Sequence, residues 1–593
     1  MSPAKTYYED LRREQTALHD EARRAYDRFA IVRLVVILAL LVVVVAAFGH
    51  SFLLGFIALP IFVVKAYFLV KKHDAMKRAA ELARTRATLA DREIGALNHD
   101  FRVFDGGDEL LDPQHPYALD LDIFGPHSLF QFLNRTVTAP GRQLLAEALL
   151  SPQPEEVRAL TQVQSKDLAE RPDWCIEFRT LGEGLEDSTG HQTRLREWLT
   201  REPVVKSGLD RSLLYLIPIL TVASLVGMFF LTPWYLGALG FLPAILLFRK
   251  YSDAIATEHA YTAKMGELLA QYGDLLGHAQ TWEGVSEDLS GSVPALKKLS
   301  YYISQLDVRN NPFAILVELG GAWSMQWLTK LDGWREDHRE ALPRWLDTIA
   351  RVDAWVSWAN LRFNHPEWVD AEFSTEPVLR ATGLGHPLLN PAGRVTNDID
   401  MRTDGHIHLV TGSNMAGKST WLRTVGINLV LAQAGAPVCA RHLRQRPLQV
   451  WTSMRTQDDL SESTSSFYAE LKRLQAIIKS VADREQHVFF LLDEILKGTN
   501  SRDRHTGSRA LIRQLIRDSG AGIIATHDLE LAALENEPGS RVENYAMEVQ
   551  TRGDDLVFDY KLHPGVCTSF NATALMARMG IAIPENEIKL HHD

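Results

Sequence analysis

Cysteine is nearly absent. Cys175, Cys439 and Cys567 are the only three in 593 residues, and they stand far apart. A disulfide framework needs paired thiols and a zinc cluster needs them closely spaced, so neither can be read here, and a reducing compartment fits. An excess of basic charge is missing too. Lys and Arg total 63 against 74 Asp and Glu, a formal net charge of -11. That removes the whole-chain signature of a nucleic-acid binder, although not a local basic face. No internal repeat or low-complexity tract occurs. With 46% hydrophobic and 23% charged residues, the composition excludes a mostly disordered or collagenous chain.

Charge is also lacking locally, in two long stretches. Residues 31–70 contain only Arg33 and Lys65 as charged groups, and residues 212–248 contain none. A bilayer core of about 30 Å takes roughly 20 helical residues per crossing, so each stretch predicts a pair of transmembrane helices. The first pair falls at 31–48 and 52–70 about a turn at Gly49-His50-Ser51. The second falls at 212–231 and 233–248 about Thr232-Pro233. Arg23, Arg24, Arg28, Lys71, Lys72, Lys77 and Arg78 flank the first pair, and Arg211, Arg249 and Lys250 the second. Neither outer turn holds a Lys or Arg, so the positive-inside rule places both pairs' ends in the cytoplasm. The expected location is the cytoplasmic (inner) membrane, multi-pass, with the bulk of the chain inside. About 30 mainly polar residues precede the first stretch, which argues against a cleavable signal peptide.

The remainder divides by pattern. Residues 5–30 and 71–98 carry helical spacing and extend the first pair, making 1–98 one region. Gly106-Gly107, Pro113 and Pro116 mark a linker at 99–117. From 118 to 362 the pattern is helical, interrupted by the second apolar pair. From 363 to 593 short apolar runs (407–410, 488–492 and 523–526) alternate with helical stretches, which predicts a parallel α/β sheet. Val542 to Val549 and Leu556 to Leu562 read as a hairpin.

The chemistry-bearing residues lie in that last region. Gly412, Ser413, Asn414, Met415, Ala416, Gly417, Lys418 and Ser419 fit G-x-x-x-x-G-K-S/T, after an apolar run and before a helical one. In that context backbone N–H groups cradle phosphate, helped by the helix N-terminus. Lys418 is then expected to reach the β/γ-phosphates of ATP and Ser419 to ligate Mg²⁺. Val488 to Leu492 ends in Asp493-Glu494. Asp493 suits a place on or near Mg²⁺, and Glu494 suits activation of the attacking water. Two acids favour hydrolysis over nucleotide storage. Ala525-Thr526-His527 ends the next strand, where His527 is placed to sense the γ-phosphate or hold the water.

At these residues the chain resembles the ATPase domain of the MutS family, the DNA mismatch repair clamp proteins. Gly412 to Thr420 is similar to the family's G-P-N-M-G-G-K-S-T, with Ser413 and Ala416 as departures. Asp493 to Asn500 resembles D-E-I-G-R-G-T-S, and Ala525-Thr526-His527 resembles the A-T-H switch. Asn397-Asp398 matches the F-x-x-N-D element, with Arg394 at its aromatic position. Asp458 to Glu470 is similar to D-x-L followed by S-T-F-x-x-E. Upstream, Leu129 to Pro152 is similar to the start of the family's helical lever domain. The resemblance implies an α/β P-loop ATPase domain of the ABC/MutS type at 363–593, joined to an all-α lever domain at 118–362. It implies ATP and Mg²⁺ as cofactors, nucleotide contacts from Gly412 to Thr420 and from Asn397, and a homodimer in which Ser465 and Ser466 reach the γ-phosphate held by the partner subunit. The family's mismatch-reading F-x-E element has no counterpart, because no Phe-x-Glu occurs in the chain.

Three functions compete at this stage. The first is a membrane-anchored MutS-like ATPase coupled to DNA binding or repair. The second keeps the ATPase and replaces DNA by a protein or membrane partner. The third is an ABC-type transporter. It is disfavoured because Leu289-Ser290-Gly291 precedes the P-loop instead of following it, and because the second apolar pair offers no charged pathway. Arg441, Arg444, Arg446 and Arg455 lie together in sequence and could serve a DNA reading, but a solvated face is the simpler account.

Overall fold

The computed structural model describes residues 2–185, 187–205, 207–230, 239–306, 318, 320–413, 415–455, 466–483, 486–552 and 555–568. They fall into two compact units. One comprises Met1–Asp91, Arg135–Leu144 and Arg171–Val356, and the other Arg92–Asn134, Leu145–Glu170 and Ser357–Asp593.

The first unit is helical. Ser2 caps the helix Pro3–His50, its side chain accepting from Lys5 N, with proline at the first helical position where its missing N–H costs nothing. This helix stops at Ser51, which is extended, and the next begins at once as Phe52–Leu97. The expected polar extensions and apolar segments are thus continuous helices. The two run antiparallel. Arg12 meets Asp91 at 2.8 Å, His19 Nδ1 meets Ala80 O at 2.8 Å, and the Tyr26 and His73 rings stack at 4.1 Å. Their apolar windows are only 6% buried.

Among the described residues three helices are long and apolar enough to cross a membrane: Pro3–His50, Phe52–Leu97 and Gly208–Met228. The fourth expected crossing, 233–248, is not among them. Residues 231–238 lie outside the described residues. The helix that follows, Leu242–Ala279, turns polar at Arg249-Lys250 after seven residues.

Asp353 organises the rest of this unit. Fully buried, it accepts from Val137 N (3.0 Å), Thr138 N (2.8 Å) and Thr138 Oγ1 (2.7 Å). A side chain at Gly141 would come within 2.3 Å of its carboxylate, so that position must stay bare. Burial pushes the Asp353 carboxyl up to about 7 despite its three donors.

The second unit holds both sheets. The larger has the order β10-β9-β4-β8-β7-β6. Its members are β4 (Ile407–Gly412), β6 (Gln449–Ser453), β7 (Val488–Asp493), β8 (Ala521–Thr526), β9 (Val542–Arg552) and β10 (Asp555–Pro564). All pairings are parallel except the β9–β10 hairpin. Every residue of β4 and β8 is buried, as expected of parallel strands covered on both faces. The expected parallel sheet and hairpin are both present, the hairpin's Gly553 and Asp554 lying outside the described residues.

A four-stranded sheet in the order β1-β5-β2-β3 accompanies it, with β1 Glu372–Phe373, β2 Val378–Leu384, β3 Asn397–Arg402 and β5 His442–Gln445. This sheet was not anticipated from the sequence. Asp120, from the segment ahead of the sheets, accepts from Thr452 Oγ1 (2.7 Å), Met454 N (3.1 Å) and Arg455 N (3.0 Å), and so fixes the end of β6.

Candidate nucleotide site

Parallel pairing sets the site. β4 pairs with β8 so that Thr411 lies level with Thr526, and β8 pairs with β7 so that Asp493 lies level with Ala525. The strand that ends in His527 therefore sits between the P-loop strand and the Asp-Glu strand. All three discharge their functional residues at the same edge, where ligands of open α/β sheets bind.

The loop after β4 is built from unusual backbone. Gly417 has φ +103 and caps the helix Lys418–Ala434, while Met415 adopts φ +70 with a side chain 71% exposed. A bulky non-glycine residue in the left-handed region is a local strain of the kind that collects at functional sites. Gly426 lets the following helix approach the sheet, since a Cβ there would come within 2.7 Å of Leu121 and 2.8 Å of Leu491.

Lys418 is buried, its Nζ donating to Gly412 O (2.7 Å) and Ser413 O (3.0 Å). The ammonium thus spans the loop whose amides would surround a phosphate. Burial lowers its pKa, against the opposing pull of Asp493 and Glu494. Ser419 Oγ donates to Asp493 Oδ2 at 2.5 Å. A hydroxyl and a carboxylate this close are a hard-oxygen pair of the type Mg²⁺ selects, so the residues present fit the cation.

Glu494 has φ +51 and Leu496 φ +61, a strained turn directly after β7. Glu470, on the helix Ser466–Ala482, holds that turn by accepting from Leu496 N. The Glu494 carboxylate meets His527 Nε2 at 2.8 Å and Lys497 Nζ at 3.3 Å. The hydrogen bond with His527, then the Lys497 charge, hold its pKa down at about 2. His527 Nε2 also lies 3.2 Å from Lys418 Nζ. One ring nitrogen cannot donate to Glu494 and accept from Lys418 together. The shorter contact to an ionised carboxylate selects the Nε2–H form.

The structure brings Gly412, Ser413, Met415, Ala416, Gly417, Lys418, Ser419, Asp493, Glu494 and His527 to one place, with Thr420 exposed in the first turn of the same helix. Asn414 and Ser465 lie outside the described residues, and Ser466 opens the helix Ser466–Ala482. Asn397 donates from Nδ2 to Tyr560 O (3.0 Å) and accepts from Leu562 N (2.9 Å), clamping the bulge in β10, and the Tyr560 ring lies so close to the P-loop that a Cβ at Gly417 would come within 2.9 Å of it. Arg394 donates to Pro387 O and Leu389 O. In the arginine cluster, Arg444 pairs with Glu376 (3.2 Å) and Arg455 with Asp122 (2.7 Å). Lys497 and Glu470 lie inside sequence segments already singled out, but nothing in the sequence marked their contacts. His505, which bonds to Asp528 beside His527, carried no sequence signal.

A strand, a G-x-x-x-x-G-K-S loop and a helix at the edge of a parallel sheet, with an acidic strand end alongside, define a P-loop nucleotide-binding domain. The profile of MutS domain V, an ATPase-type domain, matches residues 408–590. The chain is 31% identical over 236 residues to the DNA mismatch repair protein MutS of Carboxydothermus hydrogenoformans, covering 38% of this chain and 27% of that protein. It is 32% identical over 257 residues to MutS of Rhodopirellula baltica, covering 42% and 28%. It is 31% identical over 268 residues to the DNA mismatch repair protein MutS 2 of Halobacterium salinarum, covering 42% and 29%. Over this domain the chain is similar to proteins of the MutS family. It spans less than a third of the length of these relatives.

Proposed function

We propose that the protein is a membrane-anchored MutS-like ATPase that binds and hydrolyses ATP as a homodimer and couples this to DNA binding or repair. The observation that carries the ATPase reading is the meeting of Lys418, Ser419, Asp493, Glu494 and His527 at one sheet edge, with Ser419 Oγ and Asp493 Oδ2 2.5 Å apart. Lys418 would exchange its two carbonyl partners for phosphate oxygens, and Ser419 with Asp493 would hold Mg²⁺. The cation, when bound, neutralises charge on the phosphate oxygens. Glu494 is the group to accept a proton from water. The contacts with His527 and Lys497 hold its pKa near 2, so it stands ionised, and His527 fixes its orientation. Ser465 and Ser466 of one subunit would complete the site of the other.

The helices Pro3–His50, Phe52–Leu97 and Gly208–Met228 support anchoring. Apolar surface so little covered needs an apolar surrounding. Their basic flanks support a reading in which the ATPase domain faces the cytoplasm from the inner membrane. DNA as the coupled ligand rests on the relatives, which are named DNA mismatch repair proteins. A protein or membrane partner driven by the same ATPase is the second reading. It is favoured by the ion pairs that occupy Arg444 and Arg455. The deciding experiment is ATP turnover by the detergent-purified chain at physiological salt, alone and with homoduplex, mismatched or branched DNA, with Lys418→Ala as control. Stimulation by one DNA form supports the first reading and identifies its substrate. Turnover indifferent to every DNA transfers the assignment to the second.

A further inference from the structure

His505 and Asp528 form a buried-edge pair that the site described so far does not use. His505 lies on the helix Ser501–Arg517, which follows the Glu494 turn. Its Nδ1–H donates to Asp528 Oδ2 at 2.9 Å, with the two side chains 26% and 17% exposed. Glu530 approaches the other ring nitrogen at 3.6 Å. The two carboxylates thus flank opposite nitrogens of one imidazole. The shorter contact, from Nδ1 to Asp528, is the one that fastens the ring.

The fastening has a consequence because of what Asp528 does next. Its other oxygen accepts from Glu530 N at 3.1 Å, capping the short 3₁₀ helix Leu529–Asn536, and its own N–H donates to Thr526 Oγ1 at 3.0 Å. His527 sits between these anchors, so its backbone is held from both sides while its ring reaches Glu494. The helix that carries His505 is also seated against the Glu494 turn. A side chain at Gly507 would come within 2.7 Å of the Leu496 side chain. One helix therefore touches both the turn that presents Glu494 and the loop that presents His527.

We propose that His505, acting through Asp528, is a positioning residue that sets the distance between His527 and Glu494 for ATP hydrolysis. The inference rests on the ATPase reading above. Removing His505 leaves Lys418 and the P-loop untouched, so nucleotide affinity should hold while the chemical step slows. Asparagine is the informative replacement, because its Nδ2 is attached to Cγ as the histidine Nδ1 is and can donate to the same oxygen.

The test is steady-state ATP turnover by the full detergent-purified chain with His505→Ala, His505→Asn, Asp528→Ala and the double alanine variant, with thermal midpoints measured alongside. The expected result is a kcat lowered about tenfold in His505→Ala with KM within about twofold of wild type. His505→Asn should recover most of the loss, and the double variant should be no worse than Asp528→Ala, as for residues acting as one unit. An unchanged kcat in His505→Ala overturns the proposal. So does a joint loss of kcat, KM and thermal midpoint that asparagine does not rescue, which would mark a merely structural contact. Wild-type protein with no more turnover than Lys418→Ala would instead overturn the ATPase reading itself, and the proposal with it.

Discussion

Replacing Asp120 by alanine tests how the ATPase domain holds the end of β6 in place. The carboxylate is 6% exposed and accepts from Thr452 Oγ1, Met454 N and Arg455 N at 2.7, 3.1 and 3.0 Å. The three losses are unequal. Thr452 keeps a second acceptor in Pro116 O at 3.2 Å, and Arg455 is exposed, so water can reach its N–H. Met454 is buried and its N–H would be stranded. A hydrogen bond to a charged group contributes roughly 1.5–3 kcal/mol, and an orphaned buried donor costs a similar amount. Most of the loss therefore falls on Met454, and the total is about 3 kcal/mol.

Hydrogen–deuterium exchange over residues 449–455 reads this locally. About 3 kcal/mol corresponds to a loss of protection on the order of 150-fold when exchange follows local opening. Asp120→Asn keeps an acceptor for one N–H but points an amide N–H₂ at another, and should fall midway. Because Arg455 leads directly into the segment that contains Ser465, turnover should drop with the lost protection. A change in protection below about fivefold in Asp120→Ala, or full protection in Asp120→Asn, would refute the assignment of Asp120 as the pin.

Three further outcomes are expected. Glu494→Gln should bind ATP with near wild-type affinity and lose roughly 10²-fold or more in turnover, measured by fluorescent-nucleotide binding beside phosphate release; unchanged turnover removes Glu494 as the base. Asp353 has a folded-state pKa of about 7, raised by burial. Its contribution to stability is full below its unfolded value of about 4 and is lost as pH rises through about 7. Denaturation of the detergent-purified chain should therefore show the helical unit gaining stability between pH 8 and roughly pH 5, with Asp353→Asn flattening that slope. Mixing Lys418→Ala with Ser465→Ala/Ser466→Ala subunits should restore partial turnover if each site is completed by the partner. No rescue would argue for a self-contained site.

The parts of this site that could be read in advance are those whose chemistry is local in the chain. Gly412 to Ser419 announces itself because a phosphate loop needs its residues in sequence. Asp493-Glu494 and His527 are marked by the apolar runs they terminate. The small sheet escaped for the opposite reason. β5 is only His442–Gln445, and its Arg444 read as part of a basic cluster when it pairs with Glu376 in the bend between β1 and β2. β3 alternates buried and exposed residues in Asn397–Arg402, but six residues with Asp and Arg outward resemble a loop in composition. Asp120, Asp353 and His505 are out of reach of any local pattern, because their partners lie 332, 215 and 23 residues away. Only the fold brings them together.

The joint between the first two long helices is a single residue, Ser51. Below it the helices are tied at successive levels, by Tyr26 with His73, His19 with Ala80, and Arg12 with Asp91. A pair fastened at its tip and along its length cannot slide as a piston, since sliding one helix would break every tie together. It can tilt or swing as one stiff lever arm. A force applied near Arg12 and Asp91 is thus delivered as a change of inclination.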